Sequence, residues 1–435
     1  VFSGPWLSAR PAKTATSGGR NARADLNHNV TTAESSSLMI LRLGTRMVTE
    51  VHPRLLTKFA LNFGWRGMRA MNAFKARVRK GIYFPAVTFV SVTNRCNLSC
   101  QGCWVEQTSP PVDMPEEVLC NVIDECRREG AVFFGLLGGE PFLYPRLFDV
   151  IARYPSCYFQ ILTNGTVLTA EHAREMRRLG NVTPLISIEG MEQVSDERRG
   201  GAGVFQGALD GLAYCREQRL VTGVATSVCR SNFDDLVSRD FLHFLVDRGV
   251  HYMWYYIYRA VGPRPTPELA LDGEQILALR RFIVEARCRE PIAVLDAYWD
   301  HEGNALCPAA VGISHHVSPT GYIEPCPPLQ FASDNIGDGS EFGRIVRESS
   351  FLERFRQFSR ESTRGCVLMD CPGDLQTFVE SAEADDTSGR ACGTGELAAM
   401  CTCPGHHQPG QEIPEKHWLY RFAKKHWFFG FGAYG

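Results

Sequence analysis

The 435-residue chain contains no run of 18 apolar residues, the least from which a membrane-spanning helix is read. Its first 30 residues, VFSGPWLSARPAKTATSGGRNARADLNHNV, lack the apolar core of a secretory signal. It also lacks an excess of charge: 46 Lys and Arg stand against 48 Asp and Glu. Nothing overall points to nucleic acid, and neither zinc-finger nor RNP-like spacing occurs. No internal repeat is visible. With no export signal, the 16 cysteines are not read as a disulfide framework, which belongs mostly to small secreted domains. A reducing cytoplasm is expected, where cysteines mean metal, catalysis or core filling. Cys120, Cys126, Cys157, Cys215, Cys229 and Cys288 stand singly in apolar patterns and read as small buried hydrophobes.

The chain is long enough to bury a large core. Residues 1–46, rich in Ser, Thr, Ala, Gly, Asn and Arg, read as disordered, or as a mis-assigned start with Met39 or Met47 nearer the true one. Residues 51–80 predict a helix, with Leu61, Trp65, Met68, Met71, Phe74 and Val78 at three- and four-residue steps and eight basic residues without an acid. A basic amphipathic helix either lies on an anionic membrane surface or packs on the main domain with a solvated basic face; the second is the ordinary arrangement. From residue 86 to about 262, six short apolar runs alternate with helical patterns, which predicts a parallel sheet with right-handed crossovers. Sites in such sheets gather at the C-terminal strand ends. Residues 263–300 read as one helix (about 272–288) and a connection. Residues 301–410 are Gly-, Pro- and Cys-rich with little periodicity, and 411–435 form an aromatic, basic tail.

The chemistry-bearing residues fall just after strands. "TNRCNLSCQGCW" places Cys96, Cys100 and Cys103 behind the first run. Structural zinc wants four ligands, usually in two separated pairs. A 4Fe–4S cluster normally takes four thiolates, so three would leave one iron open. On spacing alone both stand, with iron–sulfur favoured. After the second run comes Gly138-Gly139-Glu140-Pro141, after the third Thr163-Asn164-Gly165, and after the fourth Ser187 and Glu189, with Asp196, Arg199 and Gly200 downstream. Together CNLSCQGC, GGEP, TNG and SIEG…DERRG resemble the radical S-adenosylmethionine (radical SAM) superfamily over about residues 86–260. That resemblance implies an α/β fold, a partial (β/α)6 barrel. It implies that Cys96, Cys100 and Cys103 ligate three irons of a 4Fe–4S cluster whose fourth iron chelates S-adenosylmethionine. Gly138, Gly139, Glu140 and Pro141 would hold the methionine amino end. Ser187 and Arg199 would meet the carboxylate or ribose side, and Asn164 and Glu189 also fall in family motifs. Glu189 stands where many members carry Asp.

The run "CPAAVGISHHVSPTGYIEPC" (residues 307–326) resembles the opening of a SPASM or twitch extension. It implies a Cys-rich, loop-rich C-terminal domain with one auxiliary 4Fe–4S cluster. Cys307, Cys326 and Cys366 are its first expected ligands and Cys403 the fourth, with Cys371 and Cys401 as rivals. A zinc site is the alternative, kept open by His315, His316, His406 and His407; paired histidines in loops are more often just exposed. In the tail, Trp418, Leu419, Tyr420, Phe422, Trp427, Phe428 and Phe429 lie among Lys416, Arg421, Lys424 and Lys425. They suit either a membrane interface or a helix docked on the barrel. The implied activity is reductive cleavage of S-adenosylmethionine, with a reductant such as flavodoxin or ferredoxin, and modification of an unactivated C–H bond. The SPASM likeness points to a peptide or protein substrate, with a lipid or small metabolite as the alternative and a non-catalytic iron–sulfur or zinc protein as the third reading. Residues 1–85 are too poor in strand pattern for the leader-binding winged helix of many peptide maturases, and there is no room for a cobalamin domain.

Overall fold

The structure, a computed structural model, describes residues 37–262 and 264–427. Residues 1–36 of the segment expected to be disordered, and Phe428 and Phe429 of the tail, lie outside the described residues.

Six apolar runs form consecutive parallel strands: β1 (Val87–Thr93), β2 (Phe133–Gly138), β3 (Tyr158–Thr163), β4 (Val182–Ser187), β5 (Gly223–Val228) and β6 (Tyr252–Ile257). Nearly every residue in them is buried, as expected when helices cover one face and side chains fill the other. The intervening helices begin and end on ordinary signals. Thr169 caps Ala170–Leu179 in a capping box, and Gly180 ends it at φ 76°.

The sheet continues past both edges of this six-stranded unit. β7 (Ala293–Leu295) adds in parallel beside β6, where only a connection was expected. Three residues behind Pro291 are too short a run to register as a strand. On the other edge β8 (Ser314–Val317) pairs in parallel with β1, and β9 (Ile323–Glu324) pairs antiparallel with β8. The result is a nine-stranded sheet in the order β7-β6-β5-β4-β3-β2-β1-β8-β9. The Cys-rich region is thus joined to the barrel sheet. It is also more helical than its sequence suggested, with Phe342–Glu348, Ser350–Ser362, Pro372–Ser381 and Gly393–Ala399. The stripe Phe351, Leu352, Phe355 and Phe358 packs into the core, but it is short and set among cysteines, glycines and prolines that mask its period.

The base of the barrel, at the N-terminal strand ends, is covered by three helical elements. Residues 37–50 are helical, against the expectation of disorder through residue 46. Residues 53–78 form one helical run whose middle, Phe59–Arg66, is π-helical. That wider turn shifts the register, so Phe63 is buried while Leu61 and Trp65, expected on the packed stripe, face outward. The tail helix Trp418–His426 docks beside this run. The Trp427 indole donates to the Phe63 carbonyl at 3.2 Å.

Candidate active site

The three cysteines of the β1 loop are gripped by loops from four other strands, and glycine makes each close approach. A Cβ on Gly139 would lie 2.1 Å from the Arg95 carbonyl, and one on Gly138, at φ 150°, 2.2 Å from that of Thr93. A Cβ on Gly200 would lie 2.5 Å from the Ser99 carbonyl, and one on Gly262 2.1 Å from that of Cys103. Only glycine permits this packing. Backbone bonds complete the grip, from Gly139 N to Thr93 O at 2.8 Å and from Glu140 N to Arg95 O at 2.6 Å.

Glu140 lies behind this loop. Its fully buried carboxylate accepts from Thr163 Oγ1 and Asn164 N, both at 2.8 Å, and from Phe142 N at 3.1 Å. Burial outweighs these bonds and raises its pKa to about 7. Asn164 donates through Nδ2 to Asn97 Oδ1 at 2.9 Å, inside the cysteine loop. The side chains of Glu140 and Asn164 thus tie the β2 and β3 loops to each other and to the cysteine loop. Gly138, Gly139 and Pro141 belong to the same cradle.

Other expected site residues line a cavity. Cys100, Cys103, Ser187, Glu189 and Arg199 all line one cavity of about 710 Å³. Arg199 Nη1 donates to Cys100 Sγ at 3.4 Å, and Nη2 lies 3.6 Å from Glu189 Oε1. Glu189 is fixed in turn by Ser227 N at 2.8 Å and Thr226 Oγ1 at 3.2 Å. The longer acid in place of Asp thus still reaches both β5 and Arg199. Arg199 Nε is buried and has no hydrogen-bond partner among the described residues, which suits an incoming carboxylate. Burial pushes the Cys96 thiol up to about 11, with the neighbouring cysteines adding to the rise, and raises Cys103 for the same two reasons. Thiols so placed become thiolates only against positive charge, which an iron–sulfur cluster supplies. Among the described residues, no three His, Cys, Asp or Glu side chains close on a single metal ion. The six singly placed cysteines are all buried in the fold, as expected.

A second group of thiols opens on the same cavity: Cys307, Cys326 and Cys366. Burial raises Cys307 to about 11, and burial together with the two neighbouring thiols raises Cys326. Arg259, immediately beyond β6, donates through Nε to Cys366 Sγ at 3.1 Å and lies over the Tyr298 ring. Sequence reasoning missed Arg259, although it follows a strand as the other site residues do. Neither the expected fourth ligand, Cys403, nor its rival Cys371 lines this cavity, but Cys403 N donates at 2.9 Å to the carbonyl of Met369, three residues from Cys366. The histidines expected in exposed loops are mostly buried. His315 and His316 lie on β8, where His316 bonds Ser91 and Glu324, and His406 bonds the Leu306 carbonyl.

Residues 90–237 match the family model of the radical SAM superfamily. This stretch is a radical SAM domain. It holds the cysteine loop, the GGEP turn and Arg199. S-adenosylmethionine and a 4Fe–4S cluster are the cofactors of such a domain, and the sites described above fit both. The chain is 25% identical over 259 residues to the sporulation killing factor maturation protein SkfB of Bacillus subtilis, covering 56% of this chain and 60% of SkfB. It is 26% identical over 297 residues to the AdoMet-dependent heme synthase of Nitratidesulfovibrio vulgaris, covering 61% and 79%. It is 25% identical over 261 residues to the PqqA peptide cyclase of Streptomyces rochei, covering 56% and 69%. The chain thus spans less than two thirds of SkfB. The fold is similar to that of Streptococcus suis SuiB bound to S-adenosylmethionine, with a TM-score of 0.55 and 15% identity over 65% of this chain and 71% of SuiB. The radical SAM domain therefore carries the α/β barrel expected from its sequence. Among the described residues, no helix is long and apolar enough to cross a membrane.

Proposed function

We propose that this protein is a radical SAM enzyme that modifies an unactivated C–H bond in a peptide. The observation that carries this reading is the juxtaposition, on one cavity, of the glycine-cradled cysteine loop and the buried, under-bonded Arg199. Cys96, Cys100 and Cys103 would hold a 4Fe–4S cluster, which would supply the electron for reductive cleavage of S-adenosylmethionine to a 5′-deoxyadenosyl radical. The chain's own residues do the rest. Arg199, aligned by Glu189, binds the methionine carboxylate, and Ser187 takes the neighbouring ribose side. Glu140 and Asn164 hold the cysteine loop in place. The apolar barrel wall excludes water and competing hydrogen donors.

Cys307, Cys326 and Cys366 would hold one auxiliary cluster, with Cys403 the fourth ligand and Cys371 and Cys401 its rivals. Electrons would come from a small reductant such as flavodoxin or ferredoxin. Support for a peptide comes from the likeness to a peptide cyclase and to a maturation protein. A second reading, an aliphatic substrate, is favoured by the cavity itself. Below the cofactor-facing end its walls are Phe89, Phe133, Leu162, Trp254 and Leu295, with few polar groups.

The test is anaerobic reconstitution with iron and sulfide, followed by dithionite and S-adenosylmethionine, with 5′-deoxyadenosine quantified. The wild type is expected to form it, and the combined Cys96→Ala, Cys100→Ala and Cys103→Ala variant is not. Zinc in place of iron in the native protein would overturn the reading. Candidate precursor peptides and long-chain lipids, offered separately, then divide the two substrate classes by which of them gains a modified product.

A further inference from the structure

We propose that the base of the barrel is a docking surface for an anionic phospholipid bilayer, whatever the substrate is. Three elements meet there, and each is apolar on two faces. Inward, Met39 and Leu43, Phe59 and Phe63, and Leu419 and Ala423 line the floor of the central cavity. Because all three elements turn these residues toward one cavity, their opposite faces point away from the barrel. Those faces carry Leu38, Leu41 and Val48; Leu61 and Trp65; and Trp418 and Phe422. Trp65 is 58% exposed, Trp418 59% and Leu41 66%. A soluble monomer rarely leaves so many large apolar side chains exposed together. The 53–78 run and the tail helix are in direct contact: the Phe63 and Trp427 rings lie 5.1 Å apart, and Lys75 Nζ donates to the Lys425 carbonyl.

Charge selects the occupant. Residues 37–80 contain ten Lys and Arg and one acid, Glu50. Glu50 is held by Arg46 at 2.8 Å and faces His251. Of the basic residues, Arg77 is matched by Glu129 from the turn before β2. Arg42, Arg54, Arg66, Arg69, Arg79 and Lys80 are exposed, and the tail adds exposed Lys416, Arg421 and Lys425. Exposed Trp and Leu interleaved with Arg and Lys form the pattern that settles into an anionic interface, with the aromatics at headgroup depth. The bilayer would then lie directly beneath the cavity floor.

The experiment is vesicle co-sedimentation of the full chain, using phosphatidylcholine with and without phosphatidylglycerol. The protein is expected to pellet with the anionic vesicles only and to be released by high salt. Each surface cation near an anionic bilayer strengthens binding by roughly fivefold, so Arg66→Gln with Arg69→Gln is expected to weaken it by about twenty-five-fold. Trp65→Ser with Trp418→Ser is expected to abolish it, with the melting temperature and dithionite-driven 5′-deoxyadenosine formation unchanged. If either double variant fails to fold, the wild type's lipid and salt dependence still decides. Equal binding to neutral vesicles overturns the proposal, as does binding indifferent to these substitutions. So does a salt-stable dimer, seen by light scattering and lost in Trp65→Ser with Trp418→Ser, in a protein that does not pellet with vesicles.

Discussion

Arg199 sits between a carboxylate and a thiol, with one buried nitrogen left over. Glu189 at 3.6 Å and Cys100 at 3.4 Å hold its fork in place, and Nε has no partner among the described residues. A hydrogen bond to a charged group contributes about 1.5–3 kcal/mol, or roughly 10- to 150-fold in affinity. Arg199→Gln is therefore expected to raise the KM for S-adenosylmethionine by that factor. The iron content and the cluster absorbance should stay near wild type, because the thiolates remain. An unchanged KM would remove Arg199 from the cofactor site. Glu140 is expected to behave differently. Its carboxylate accepts from Thr163, Asn164 N and Phe142 N, so Glu140→Gln keeps its shape but weakens the bonds from Asn164 N and Phe142 N. The expected result is iron lost from the reconstituted protein, with little change in KM among the molecules that keep their cluster. This division between Arg199 and Glu140 was not visible in the sequence, where both were residues of family motifs.

At the scale of elements, the β2 turn and the cysteine loop behave as one piece. Gly139 has no room for a side chain, since its Cβ would lie 2.1 Å from the Arg95 carbonyl. Gly139→Ala must therefore displace the backbone that carries Cys96. Overpacking of this kind costs about 1–3 kcal/mol. The variant should melt lower than wild type and bind less iron per chain after reconstitution; normal iron content and melting would show that the loop yields freely. The six strands and the cysteine loop were legible because buried parallel strands are unbroken apolar runs and because a Cx3CxxC spacing is rare by chance. The helix at 37–50 was not legible. Met39, Ile40, Leu43 and Met47 face the cavity, while Leu38, Leu41 and Val48 face outward. With apolar residues on both sides, no amphipathic contrast marks the element. The register of 53–78 was misread for a related reason: a period of 3.6 residues assumes an α-helix throughout, and Phe59–Arg66 departs from it.

Across the whole molecule, the tail is locked to the barrel by buried charge. Arg280 and Arg287, from the helix Gly273–Arg289, reach Glu415 just before the tail helix, at 2.8 Å for Arg280. Arg287 and Lys424 meet Asp296 behind β7, at 2.6 and 3.2 Å. All five side chains are at most 1% exposed. Such a network adds little net stability when complete, but removing one member leaves the others buried and unmatched, at about 3–5 kcal/mol. Asp296→Asn is therefore expected to destabilise the protein by that amount near neutral pH. It should also free the tail helix, detectable as faster amide exchange over residues 418–426. The pH dependence follows from the same contacts. Although burial alone would raise them, the surrounding cations hold both carboxyls below their ordinary values, Asp296 of 3.8 and Glu415 of 4.5. On acidification the unfolded chain takes up these protons first. The stabilisation is complete above about pH 4.5 and is lost as pH falls below that range. In Asp296→Asn that acid-sensitive share is gone, so the stability gap between variant and wild type should narrow as pH drops. A gap that stays constant from pH 7 to 3 would mean that the network is held by packing rather than by ionised Asp296.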